Sequence, residues 1–388
     1  MKNITFLGPA WPYRGGIATI IERLAAVFAS RGAGVKVLTF REQYPEWLFP
    51  GKSQFRDGDP PEGLHIRRCV NTVNPLNWWR VGRLIRREAP DAVVLKYWTP
   101  FMAPCFGTIA RVAKRRGNRN NSSSAPKFLV QLDNIVPHER RWFDGLLTRY
   151  FVLSMDGFIY MSEEVGRQLV DFDTAKPRLY SPHPIFDHFG ATLPRTEAAG
   201  RLGLDPEMRY VLFFGLVRPY KGVDMLLEAW ATLKSRGVTN NRRLVIAGEF
   251  YDDVEKYRGQ IAALGLDGDV IIHDRFVHDE HIPLYFSLAD LLVLPYRSAT
   301  QSGVTQIALH FDVPMVATRV GGLPEIVRDG VTGLLCDPNP AGIADALERA
   351  LNPTTTATLR ANFAKEKPRY SWAAAADTIE RLYNMTLQ

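Results

Sequence analysis

The stretch YVLFFGLVRPYKGVDMLLEAWATLKSRG, Tyr210 to Gly237, decides the fold. It begins with a near-continuous apolar run, stops at Gly215, passes through a basic loop, and continues with apolar residues at three- and four-residue spacing. That order is strand, turn, helix. The same alternation runs through the chain. Strand candidates are NITFLG (3–8), VKVLT (35–39), AVVLK (92–96), KFLVQL (127–132) and GFIYM (157–161), then YVLFFG (210–215), RLVIAG (243–248), VIIH (270–273), LLVLP (291–295) and MVAT (315–318). Helical patterns such as IATIIERLAAVF (17–28) lie between them. Apolar strands separated by helices predict α/β architecture with parallel sheets covered on both faces. The pattern starts twice, near residues 1 and 208, which predicts two doubly wound, Rossmann-like domains. Their expected extents are 1–195 and 196–369. The Asn/Ser-rich segment 117–126 is expected as a surface loop within the first.

Composition narrows the function classes. The 388 residues are 46% hydrophobic and 23% charged, ordinary for a globular chain. No apolar run is long enough to span a membrane, and the N-terminal run is too short for a signal-peptide core. Cys69, Cys105 and Cys336 lie far apart and predict reduced thiols in a cytoplasmic protein. The net charge of +7 is uneven: residues 1–200 hold 28 Lys/Arg against 18 Asp/Glu, and the remainder hold 20 against 23. The excess clusters at Arg80, Arg83, Arg86 and Arg87, and at Arg111, Lys114, Arg115, Arg116 and Arg119. Such a face suits anionic lipid headgroups or phosphorylated ligands, or is simply a solvated helix face. No nucleic-acid motif accompanies it, so no nucleic-acid partner is expected. The first arginine cluster follows NPLNWW, which sets Trp78 and Trp79 beside cations and suits a peripheral position on the inner face of a membrane.

Ligands of open α/β sheets bind beyond the C-terminal strand ends. After the first strand, Gly15 and Gly16 precede a helix and let backbone approach a ligand. After YVLFFG, Arg218 and Lys221 are two cations in a loop entering a helix, suited to a diphosphate. After LLVLP, the SATQSGV loop brings Ser302 and Gly303 to a helix start. No Asp-x-Asp element stands at a strand end, so no metal and no cofactor are expected.

Six blocks carry a family resemblance: GLVRPYKGVDMLLEAW, LVIAGE, RFVHDEHIPLYFSLADLLVLPY, SATQSG, VPMVATRVGGLPEIV and DGVTGLLCDP. Over about residues 208–338 the chain resembles the retaining glycosyltransferases of the GT-B fold, family four. GPAWPYRGGIATIIERLA and LDNIVPHE agree more loosely. The final segment SWAAAADTIERLYN looks like the family's C-terminal helix, which crosses back to the first domain (370–388 here). The resemblance implies two Rossmann-like domains facing across a cleft. A nucleotide-sugar donor would be bound by the second domain and a carbohydrate or lipid-linked acceptor by the first. It implies that Arg218 and Lys221 hold the diphosphate and stabilise the departing nucleotide, as two fixed cations at a helix start can. It places Gly215 and Thr300, Gln301, Ser302, Gly303 and Val304 at the donor. It also places Arg275, Phe276 and Val277 along the base, and the Gly15–Gly16 turn over the diphosphate and sugar.

Two departures stand out. Many relatives carry two glutamates that, aligned back from VPMVAT, fall on Ala299 and Ile307. Relatives commonly have a histidine where Asp133 stands; Asp133, taken as a catalytic candidate, and Asn134 are expected to meet a sugar hydroxyl, or to cap an Asx turn. His138 and Glu139 match a PHE of relatives and are acceptor or sugar candidates. A sugar-nucleotide epimerase of the same fold and a non-catalytic nucleotide-sugar-binding protein are the alternatives. Turnover with an acceptor separates the second from a transferase.

Overall fold

In the computed structural model the described residues are 1–45, 54–56, 58–115, 125–136, 142–187, 189–251, 253–299 and 302–388. They form two compact units, residues 1–182 with 372–388, and residues 183–371. The division falls at Pro182/His183, ahead of the expected 195/196. The difference lies in an extended segment that stays with the second unit, where the Ile185 N–H donates to Tyr370 O at 2.9 Å.

Unit 1 holds β1 (Asn3–Leu7), α1 (Gly16–Ser30), β2 (Gly34–Glu42), β3 (Ile66–Asn71), α2 (Pro75–Glu88), β4 (Ala92–Tyr97), α3 (Ala103–Lys114), β5 (Lys127–Leu132), α4 (Asp144–Val152), β6 (Gly157–Tyr160), α5 (Glu163–Val170) and β7 (Arg178–Tyr180). Its seven strands are ordered β3-β2-β1-β4-β5-β6-β7, and every pairing is parallel. Unit 2 holds α6 (Arg195–Leu202), β8 (Arg209–Phe214), α7 (Val223–Ser235), β9 (Arg242–Ala247), α8 (Val254–Ala263), β10 (Val270–His273), α9 (Ile282–Leu288), β11 (Leu291–Leu294), α10 (Gly303–His310), β12 (Met315–Thr318), α11 (Leu323–Ile326), β13 (Gly333–Cys336), α12 (Pro340–Ala350) and α13 (Pro353–Glu366). Its sheet is also parallel, in the order β10-β9-β8-β11-β12-β13. The last helix, α14 (Trp372–Met385), packs with α1 on unit 1, burying Trp372, Ala376, Ile379 and Leu382.

Ten strands match the expected runs. The three that sequence pattern did not mark are all at or near an edge. β3 carries the exposed Arg67 and Arg68, β7 is three residues long, and β13 is a four-residue run straight after a turn. The two tryptophans beside the first arginine cluster also divide. Trp78 packs half-buried against the core and donates its indole N–H to Asn71 O at 2.8 Å, so it is no surface residue. Trp79 is exposed, under the Arg83 guanidinium.

Candidate active site

In each sheet the strand order reverses beside the first strand of the unit, at β1/β4 and at β8/β11. A crevice opens at such a point beyond the strand ends. In unit 2 its two walls are the loop after β8 and the loop after β11.

The β8 loop turns sharply. Arg218 caps a short 3-10 turn over Pro219–Lys221, and Gly222 then adopts φ +68°. A Cβ at Gly222 would fall 2.1 Å from Pro295 O, so only glycine lets this loop lie against the one after β11. The arrangement is locked from the other side: Arg297 grips Asp224 of α7 with two nitrogens at 2.7 and 2.6 Å. Lys221 is folded inward, only 9% exposed. Its Nζ lies 3.5 Å from where a Gly215 Cβ would be and 5.3 Å from the Tyr296 ring centroid. Among the described residues it has neither hydrogen bond nor counter-ion. Burial, with help from the charge of Arg218, pushes its pKa down to about 8. Arg218 remains exposed and stacks on Tyr251, 4.7 Å from the ring centroid, without an ion-pair partner among the described residues.

The second wall is the start of α10. Ser302 caps it with extended backbone but no side-chain cap; its hydroxyl lies 3.3 Å from the buried Tyr296 hydroxyl. Thr318 fixes Tyr296 by donating to its carbonyl at 2.6 Å. The Thr305 N–H is used by Ser302 O, whereas the amides of Gly303 and Val304 have no acceptor among the described residues. Val304 Cγ2 lies 3.4 Å from the same Gly215 Cβ position that Lys221 approaches. Thus Gly215, Lys221, Ser302, Gly303 and Val304 meet in one place. Among the described residues, an ammonium without a counter-ion thus stands beside helix-start amides without acceptors, a combination suited to an anion. Arg275, Phe276 and Val277 stand apart at the edge strand β10. Phe276 is 57% exposed, Arg275 is exposed, and Val277 packs on the core. Thr300 and Gln301 lie outside the described residues.

In unit 1, Gly15 caps α1 at φ +105° with nothing within 4 Å of its Cβ position, and Gly16 is exposed beside it. Buried Glu22 of α1 holds the preceding loop, accepting from Trp11 N–H at 2.6 Å and from Arg56 at 2.9 and 2.8 Å. Asp133, after β5, is engaged: Lys96 of β4, 1% exposed, donates to its Oδ1 at 2.6 Å. Asp133 is therefore half of an ion pair, not a lone carboxylate. Asn134 beside it is half-buried. His138 and Glu139 lie outside the described residues. Sequence reasoning passed over Lys96, Tyr296 and Glu22. A lysine inside an apolar strand run was the one available signal, because a buried lysine needs a partner.

Comparison with known proteins adds to this geometry. The family description "Glycosyl transferases group 1" matches residues 208–353, and "Glycosyl transferase 4-like domain" matches residues 15–180. The chain belongs to the group 1 glycosyl transferases. It is 27% identical to the D-inositol 3-phosphate glycosyltransferase of Acidothermus cellulolyticus over 96% of this chain and 86% of that one. It is 35% identical to the alpha-D-kanosaminyltransferase of Streptomyces kanamyceticus, over 49% of this chain and 48% of that enzyme. In fold it is similar to a glycosyltransferase from Rickettsia africae, with TM-score 0.73, 14% identity, and 100% and 99% of the two chains covered. It is also similar to an Anabaena protein solved with UDP and glucose, with TM-score 0.68, 18% identity, and 98% and 99% covered. Each unit has the parallel, doubly wound sheet of the GT-B fold. The epimerase reading finds no support in these relatives. Ile307 lies in the core and Ala299 packs against it, so both positions at which the family resemblance implies glutamates are apolar here.

Proposed function

We propose that this glycosyltransferase moves a sugar from a nucleoside-diphosphate sugar to a carbohydrate hydroxyl with retention of anomeric configuration. Unit 2 takes the donor and unit 1 the acceptor. The observation that carries the reading is the buried ammonium of Lys221, without a counter-ion among the described residues, beside the α10 amides that have no acceptor among them. As the bond from the sugar's anomeric carbon to the phosphate oxygen breaks, charge grows on the leaving diphosphate. Lys221, Arg218 and the Gly303 and Val304 amides stabilise it without reorganising. The Ser302 hydroxyl is a further donor. These groups supply the charge that a metal supplies elsewhere, so turnover is proposed to need no added metal. The acceptor hydroxyl approaches from the face the diphosphate leaves and passes its proton to a departing phosphate oxygen, so no enzyme nucleophile is required. Arg275, Phe276 and Val277 are assigned to the base, and the Gly15–Gly16 turn to the diphosphate and sugar. Asp133, anchored by Lys96, and Asn134 are assigned to sugar hydroxyls.

The acceptor is proposed to be lipid-linked and met at the cytoplasmic membrane surface. Among the described residues no helix is long and apolar enough to cross a membrane. The exposed arginine row of α2, Arg80, Arg83 and Arg87, supports a peripheral position.

The test is a panel of nucleotide sugars offered with sugar acceptors, following nucleoside-diphosphate release and the anomeric configuration of the product by NMR. A product that retains the donor's configuration is expected; inversion, or hydrolysis with no transfer to any acceptor, overturns the reading.

A further inference from the structure

One face of unit 1 has no part in this chemistry. α2, α3 and α4 pack on the side of the seven-stranded sheet opposite α1 and α14. Small residues let α3 sink between its neighbours. A Cβ at Gly82 of α2 would meet Val112 of α3 at 2.6 Å, and one at Gly107 of α3 would meet the Tyr150 ring of α4 at 2.6 Å. Arg111 of α3 also donates to Tyr150 O at 2.7 Å, with its guanidinium 3.6 Å from the centroid of that ring. α2 and α4 therefore flank α3 and turn their outer faces to solvent.

The outer row along α4 is apolar. Trp142 is 88% exposed, Leu146 67%, Tyr150 37% and Leu153 58%. Leu146, Tyr150 and the C-cap Leu153 follow at steps of four and three residues on one helix face, with Trp142 just ahead of the helix, while Thr148, Phe151 and Val152 fill the inner face. Four large apolar side chains in a row are more than single exposed residues explain. The outer row of α2 begins with Leu76, 70% exposed, and Trp79, and continues with Arg80, Arg83 and Arg87. Arg83 stands over the Trp79 ring at 4.5 Å. The acidic groups of these three helices do not offset this charge at the surface, since Asp144 is buried and Glu88 faces Lys36 at 3.2 Å.

We propose that the outer face of α2 to α4 docks on an anionic lipid bilayer. Trp142, Leu146 and Leu153 enter the boundary between headgroups and acyl chains, and the arginines meet lipid phosphates. This rests on the peripheral-membrane part of the reading above and adds the edge that inserts. A lipid surface fits better than a second copy, because a two-fold contact through this face would set like-charged arginine rows against each other.

The experiment is vesicle flotation with phosphatidylcholine alone and with phosphatidylcholine and phosphatidylglycerol in equal parts, at low and high salt. The full chain should float with the anionic vesicles, and salt should weaken it. Leu146→Asn/Leu153→Asn should lower partitioning about tenfold or more. Arg80→Gln/Arg83→Gln/Arg87→Gln should erase the preference for anionic over neutral vesicles. Both variants should keep the thermal stabilisation that a nucleoside diphosphate gives the wild type, since unit 2 is untouched. Absence of flotation, or flotation indifferent to the leucine substitutions, overturns the proposal while leaving the donor site standing. A wild-type dimer that becomes monomeric in the leucine variant overturns it in favour of self-association. Loss of nucleotide stabilisation in the wild type would instead sink the donor reading alone.

Discussion

Replacing Lys221 by Met should make the ligand-free protein more stable and blind to diphosphate. The folded pKa is about 8 against an ordinary 10.5, because the ammonium is buried and lies next to the charge of Arg218. At about 1.36 kcal/mol per pKa unit, keeping it charged costs on the order of 3 kcal/mol below pH 8. Because the folded pKa is the lower one, between about pH 8 and 10.5 the unfolded chain holds a proton that the folded chain has released. Wild-type stability from this group therefore rises with pH across that window. Lys221→Met is expected to raise unfolding free energy by about 1–3 kcal/mol near neutral pH, with a gain that shrinks as pH climbs past about 8. Urea unfolding at about pH 7 and about pH 10 reads the first effect, and nucleoside-diphosphate-induced thermal shift reads the second. In the wild type, binding a diphosphate should raise the lysine pKa, so affinity should fall as pH rises above about 8, where the phosphates are already fully ionised. A variant less stable than wild type at neutral pH, or one that keeps the full nucleotide shift, would refute the anion-site reasoning.

Arg218→Ala should weaken nucleoside-diphosphate affinity by roughly tenfold to a hundredfold in titration calorimetry, the scale of one charge-assisted hydrogen bond. Lys96→Met should destabilise unit 1 by about 3 kcal/mol or more by stranding Asp133, whereas Lys96→Met/Asp133→Leu should recover much of that in denaturant melts. Gly248→Ala places a Cβ 2.1 Å from Gly215 O at φ +147°, so unfolding of unit 2 should come at lower denaturant, by more than about 2 kcal/mol. Transfer activity should persist in EDTA; loss on chelation with recovery on adding Mg²⁺ or Mn²⁺ would show that the cations and amides do not suffice.

Much of the fold was legible because its strands are apolar on both faces and so stand out as continuous runs. β8, RYVLFF, and β11, LLVL, are buried along nearly their whole length. β3 escaped because an edge strand tolerates the exposed Arg67 and Arg68 and loses that signature. Within the candidate site, Arg218, Lys221 and the Ser302–Gly303 step could be singled out because cations and a helix start directly after strands suit an anion when they occur together. What local pattern could not show was the state of each group: that Lys221 turns inward while Arg218 stays out, or that Asp133 is claimed by Lys96. Those depend on the register of β4 against β5, which aligns Lys96 with Gln131, and on Gly222 fitting under Pro295 O.

The most direct test of the central claim is a crystal structure of the protein soaked with a nucleoside diphosphate in the presence of EDTA. Both phosphates should lie at the β8/β11 switch point, within hydrogen-bond distance of Lys221 Nζ, the Arg218 guanidinium and the Gly303 and Val304 amides. Phosphates bound at any other strand end, or at this one with Lys221 still unpaired, would contradict it.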